Sequence, residues 1–178
     1  MTKTMTVTIR PATLADVPRL VKMVNEAYRG ESGSRGWTTE AHLLGGLRTH
    51  EQEIADLIEA EKNVILIALD SSGHLQGCVY LKAKNETTGY LGMLTVQVDT
   101  QSRGWGSKLL DAAEIFVKRE WGVAKMEMQV ITVRSELIAW YERRGYRDTG
   151  ERRPFPHDEE FGKAMKDELE FLVLEKTL

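Results

Sequence analysis

Apolar residues change their spacing several times along the chain, and each change marks an element. Val17, Leu20, Val21, Val24 and Tyr28 recur at helical intervals after a short alternating stretch over residues 5–10. This predicts a strand and then an amphipathic helix. Asp16 is placed as the N-cap of that helix, and Pro18 falls in its first turn, where a missing N–H costs nothing. The helix is expected to end near Arg29-Gly30, before a polar, glycine-rich loop over residues 30–37. Thr39 to Leu44 reads as a short helix stopped by Gly45-Gly46. Thr49 and Gln52 form a capping-box pattern for a helix carrying Ile54, Leu57 and Ile58.

From residue 64 the period is that of strands. Val64 to Leu69 is an unbroken apolar run, as in a strand covered on both faces. Asp70-Ser71-Ser72-Gly73 is turn chemistry. Leu75, Gly77, Val79, Leu81 and Ala83 alternate with more polar residues, and a loop over residues 85–89 leads to a strand from Tyr90 to Val98. These three strands predict an antiparallel meander. A helix follows to about Trp121-Gly122, with Leu109, Leu110, Ala113, Phe116 and Val117 on one face and Asp111, Glu114 and Lys118 on the other. Lys125 to Val133 alternates again, and the intervening helix implies that it runs parallel to the strand ending at Val98. Ser135 to Arg144 predicts the last long helix, with Glu136 in its first turn, Arg143 and Arg144 in its last, and Gly145 as the stop. Tyr146 to Glu151 and Glu168 to Glu175 read as strands, and Pro154-Phe155-Pro156 cannot continue the first of them. The expected architecture is one α+β domain over residues 1–178, with a mixed, mostly antiparallel central sheet and helices on both faces.

A chain of 178 residues with 42% hydrophobic and 29% charged residues fits that picture. The net charge of −3, with both signs mixed, argues against a nucleic-acid partner bound through a broad basic face. The lone Cys78 excludes an internal disulfide and suits a reducing, cytoplasmic setting; beside Gly77 in an alternating strand it reads as a packing residue. The first residues lack the apolar centre of a signal peptide, and no apolar run is long enough to span a bilayer, so no membrane partner is expected. His42, His50, His74 and His157 are scattered without metal-ligand spacing, and no metal is expected.

Candidate chemistry concentrates between Val96 and Leu110. A strand end there passes through a polar turn straight into a helix whose start carries Gly104 and Gly106. The first N–H groups of a helix have no partners within it and carry partial positive charge, so they attract anions. Arg103 and Lys108 add cationic donors. A bare Gly-x-Gly is equally compatible with a tight packing turn. The fuller pattern Gln101-x-x-Gly104-x-Gly106 resembles the acyl-CoA signature Gln/Arg-x-x-Gly-x-Gly/Ala of the GNAT acetyltransferase superfamily. Trp140-Tyr141-Glu142-Arg143-Arg144-Gly145-Tyr146 resembles the later Tyr-x-x-x-Gly-Phe/Tyr block of that family, and Ile9-Arg10-Pro11-Ala12-Thr13 with Asp16 resembles its opening.

The resemblance implies an N-acetyltransferase that moves the acetyl group of acetyl-CoA to a primary amine by direct attack in a ternary complex. It implies that the strand before the phosphate loop and the strand after its helix splay apart, with pantetheine in the gap. Val96, Gln97 and Val98 would then lend their backbone edge, with the amide near Val96 facing the thioester oxygen. Gln101, Ser102, Arg103, Gly104, Trp105, Gly106, Ser107 and Lys108 would hold the pyrophosphate. Tyr141 occupies the family position of the general acid; as a helical residue on the side of Leu137 and Ile138, it also reads as a core tyrosine. The family commonly forms dimers, so a homodimer is an expectation.

Three departures stand out. Val98 replaces a frequent proline, Arg134 replaces a frequent asparagine, and the strand from Tyr90 to Val98 carries no carboxylate to act as a base. Glu127, Glu31, Glu40 or an ordered-water chain are the remaining bases. In the resembling fold the connection after the first helix forms one wall of the acceptor side. Here Glu31, Arg35, Trp37 and Glu40 lie in it with Arg29 and Arg48, opposite Arg152-Arg153. Those arginines suit an amine that also bears a carboxylate. Two other readings compete. One is a non-catalytic acyl-CoA-binding sensor or scaffold. The other is a dinucleotide domain, which lacks its third glycine because Leu109 stands there.

Overall fold

The computed structural model describes residues 6–28, 44–45, 48–97, 104–154, 163–164 and 170–178. Strand β1 (Thr8–Pro11) leads through a 3-10 turn (Leu14–Asp16) into helix α1 (Val17–Tyr28). Strand β2 (Leu44–Gly45) and helix α2 (Glu51–Glu59) come next. Then β3 (Asn63–Leu69), β4 (Leu75–Ala83) and β5 (Thr88–Val96) form the expected meander. Helix α3 (Trp105–Trp121), β6 (Lys125–Ile131), α4 (Ser135–Glu142), β7 (Arg147–Pro154), β8 (Lys163–Ala164) and β9 (Glu170–Thr177) complete the order.

Seven strands form one sheet in the order β1-β3-β4-β5-β6-β9-β7, and β2 pairs with β8 in a separate ribbon. Among the described strands only β5 and β6 run parallel; the other pairings are antiparallel. Alternation along the strands divides the interior between the two faces. Leu20, Met23 and Val24 of α1 and Ile54 of α2 pack with Ile65, Ile67 and Cys78 on one side. Leu109, Leu110, Ala113 and Val117 of α3, with Tyr141 of α4, pack with Val79, Leu91, Met126 and Met128 on the other. Helices therefore cover both faces, as the amphipathic patterns imply. Gly77 lets α3 lie directly on β4, because a Cβ there would sit 2.7 Å from both Leu109 Cδ1 and the Thr95 carbonyl oxygen.

Four local expectations are corrected. Asp16 is not the helix cap: it closes the 3-10 turn, where its carboxylate accepts from the Thr13 N–H at 2.8 Å and from Arg10 and Arg19. His50 caps α2, its Nδ1 accepting from the Glu53 N–H at 3.3 Å. Thr49 is drawn inside instead, because the Asn25 side-chain amide holds its backbone at both ends, Nδ2–H donating to the Thr49 carbonyl and Oδ1 accepting from the Thr49 N–H. Leu44 and Gly45 are strand, not the end of a helix, since pairing with β8 fixes them extended; residues 39–43 lie outside the described residues. Strand β5 begins at Thr88, before Tyr90, since Thr88 and Gly89 already pair with Lys125 and Met126 of β6 and Gly89 with Ala83 of β4.

Burial works to raise the Asp16 carboxyl, but hydrogen bonds from Arg10, the Thr13 N–H and Arg19 outweigh it and hold the group well below the usual carboxylate range. A depressed folded pKa gives stability that is complete above about pH 4 and is lost as the pH falls toward the folded value. Wild-type stability should therefore decline in acid more steeply than that of Asp16→Asn. Urea unfolding at a series of pH values checks this, and parallel profiles would refute it.

Candidate active site: the splayed strands and the start of α3

The site begins with a defect in β5. Tyr80 faces Gly92 and Cys78 faces Thr95, so Val79 alone stands opposite Met93 and Leu94. This bulge places Met93 at φ 50 and turns its side chain to the α1–α2 core, while Leu91, Leu94 and Val96 face the α3 core. The Met93 carbonyl accepts from Thr95 Oγ1 at 3.1 Å and from Cys78 Sγ at 3.8 Å. Bulges bend a strand and increase its twist. The parallel ladder accordingly runs from Thr88↔Lys125 to Leu91↔Met128 and ends there. Beyond it β5 follows β4 as far as Val96, while β6 follows β9 as far as Ile131. The strands separate where the resemblance implied. Cys78 is held here as a packing residue, since burial pushes its thiol up to about 12 despite Thr95 and Arg48.

Val96 is fully buried on the α3 side, so only its backbone belongs to the cleft. Gln97 turns its side chain to β4, where Nε2 donates to the Leu75 carbonyl at 3.2 Å. Val98, Gln101, Ser102 and Arg103 lie outside the described residues, as do Glu31, Arg35, Trp37 and Glu40.

Helix α3 starts at Gly104, which has φ +78 and open space where a Cβ would project. The left-handed conformation is one that glycine adopts without strain, and it leaves the first-turn amides approachable. No acidic residue stands in that turn. Lys108 is exposed, with Nζ 5.4 Å from the Trp105 ring centroid. These donors fit the pyrophosphate of an acyl-CoA. The Trp105 side chain is 2% exposed in the α3 core, so only its backbone is available at the helix start. Gly106 is buried as well.

Helix α4 carries Tyr141, which is 5% exposed in the same core as Val96 and Leu109. Its ring makes edge contacts with Trp140 at 5.0 Å and Tyr146 at 5.8 Å between centroids. The Tyr146 hydroxyl donates to Glu114 on α3, and Lys176 on β9 grips that same carboxylate at 2.7 Å. The tyrosine helix is thereby fixed against α3.

Arg144 was not among the sequence candidates for the site. Its Nε and Nη2 donate to Ser107 Oγ at 3.2 and 2.8 Å, and its Nη1 donates to the Trp140 carbonyl at 2.9 Å. It therefore joins the end of α4 to the first turn of α3. Its sequence signal, a cation in the last helical turn, is shared with Arg143 and did not distinguish it.

Glu127 is 3% exposed on β6, paired with Tyr90 one position before the parallel ladder ends. Its Oε2 accepts from Lys84 at 2.6 Å and its Oε1 from Arg153 at 2.7 Å. Both oxygens are thus engaged, which leaves this carboxylate a poor choice of base. Arg152 is likewise paired, with Asp148 at 2.9 Å, and Arg153 also holds Glu151. Both arginines thus already bond carboxylates of neighbouring residues.

A mixed sheet with one parallel pair that separates beside a glycine-started helix, and a tyrosine helix fixed against that start, is the framework of an acetyltransferase. The chain belongs to the GNAT acetyltransferase family, whose profile matches residues 23–146. Its fold is similar to that of the Salmonella typhimurium protein YncA, solved with its cofactor acetyl-CoA (19% identity, TM-score 0.70, covering 97% of this chain and 94% of that one). It is also similar to the ribosomal-protein-S18-alanine N-acetyltransferase of Escherichia coli (16%, 0.69, 97% and 94%). The Vibrio cholerae spermidine N-acetyltransferase in complex with CoA and spermine is a further match (13%, 0.70, 96% and 95%). At these identities the likeness is one of fold. No curated protein matches the sequence. Among the described residues no helix is long and apolar enough to cross a membrane.

Proposed function

We propose that this protein is an acetyl-CoA-dependent N-acetyltransferase acting in the cytoplasm on a primary amine of a small molecule. The observation that carries this reading is the union of the glycine-started, acid-free turn of α3 with the Tyr141 helix beside one separated strand pair. Bound acetyl-CoA supplies an acetyl group activated as a thioester. The first-turn amides of α3, Ser107 and Lys108 bind its pyrophosphate, and the β5 backbone through Val96 orients the acyl arm. Tyr141 provides an O–H proton for the departing sulfur. The free amine has a pKa near about 10 and must lose a proton before it attacks. Since both oxygens of Glu127 are engaged, that proton is assigned to ordered water, Glu31 or Glu40. Glu31, Arg35, Trp37 and Glu40 are the assigned acceptor contacts.

The test is a thiol-release assay with acetyl-CoA against amino acids, polyamines, aminoglycosides and peptide N-termini. Release with an amino acid or a related carboxylate-bearing amine is expected. Turnover with polyamines alone would refute the acceptor class. CoA binding without release for any amine would favour a non-catalytic acyl-CoA module.

A further inference from the structure

The contact between Arg144 and Ser107 joins residues 37 positions apart in the chain. A hydroxyl has two acceptor lone pairs and one proton to donate. Here Nε–H and Nη2–H of one guanidinium both point at Ser107 Oγ and fill its acceptor sites. The hydroxyl proton must therefore point away from Arg144, and no acceptor among the described residues takes it. Ser107 is the third residue of α3, and helical Cα–Cβ bonds tilt toward the N-terminus, so its oxygen lies over the mouth of the helix. The guanidinium itself is held on three sides. Its Cζ lies 3.7 Å from the Trp140 ring centroid, its Nη1 bonds the Trp140 carbonyl, and its other donors meet Ser107. Burial and the neighbouring Arg143 weaken its hold on its proton, and an arginine remains charged regardless. A cation built in beside the positive end of a helix is favourable when an anion is bound there.

We propose that Arg144 is a positioning residue for the nucleotide end of acetyl-CoA: it saturates the acceptors of Ser107 so that the hydroxyl presents its single proton to a pyrophosphate oxygen at the start of α3. The proposal rests on the acyl-CoA reading above and extends it to a residue on another helix. A polarised donor to a charged oxygen is stronger than a neutral one.

Calorimetric titration of the full chain with CoA tests this, alongside kcat/KM for acetyl-CoA and for S-acetylpantetheine, which lacks the pyrophosphate. Ser107→Ala and Arg144→Gln should each weaken CoA about tenfold, and the double variant should be no weaker than either single one. The ratio of kcat/KM for acetyl-CoA to that for S-acetylpantetheine should fall by the same factor, whereas a merely structural loss would lower both and leave the ratio alone. Wild-type CoA affinity in Arg144→Gln, an unchanged ratio, or losses that multiply in the double variant would overturn the proposal. Should Arg144→Gln fail to fold, Ser107→Ala decides, and undiminished CoA affinity there overturns it. A wild-type protein that does not bind CoA overturns the cofactor reading itself, a result distinct from that of any variant.

Discussion

Tyr141→Phe is expected to lower kcat by about 10²–10⁴-fold while the acetyl-CoA KM stays near wild type. The substitution removes one oxygen and keeps the ring. Its edge contacts with Trp140 and Tyr146 survive, so the core around α4 should hold and the loss should fall on the chemical step. Steady-state kinetics at saturating acceptor, backed by a single-turnover measurement, separates the two readings that the sequence left open. A kcat equal to wild type would make Tyr141 a core residue and nothing more. The tyrosine is 5% exposed, and burial alone would be compatible with that outcome.

The second large effect concerns Trp105. Standing between the two glycines of the signature, it reads from sequence as a cofactor contact, yet its side chain is 2% exposed among Leu109, Leu110 and Tyr141. Truncating a buried aromatic costs about 3–5 kcal/mol, through lost transfer energy and the cavity left behind. Trp105→Ala should therefore show a large drop in urea-unfolding free energy, with CoA binding weakened only as far as the start of α3 loosens. A variant of wild-type stability with CoA affinity selectively lost would return Trp105 to the ligand.

The framework was readable because its signals are local. The amphipathic period of α1, the apolar run of β3, the turn at Asp70-Ser71-Ser72-Gly73 and the Gly145 stop are each set by neighbours a few residues apart. The three-strand meander and the parallel β5–β6 pair followed from connection lengths alone. The glycine start of α3 was also legible, since a left-handed start to a helix suits glycine. The pattern along the chain did not fix which partner a charged side chain takes. Asp16 reads as a cap, but Arg10 and Arg19 make it a buried anchor of the 3-10 turn. Glu127 reads as one of several possible bases, and only the fold brings Lys84 and Arg153, distant in sequence, to its two oxygens.

The sequence by itself determined the family and the order of the main-sheet strands and of the helices around them, but not the β2–β8 ribbon, because side-chain period, turn residues and a spaced glycine motif act over a few residues. The tertiary structure decided at which residue pair the parallel ladder ends and which side chains lie beside the start of α3. Met93 carries no residue-type signal for a left-handed bulge; it is held there by the Val79 register, Thr95 and Cys78, all set by pairing with β4. Arg143 and Arg144 follow α4 directly, and nothing in their spacing tells them apart. Only the packing of that helix against α3 brings one of them to Ser107, since such contacts depend on how whole elements lie across one another and not on the spacing within either.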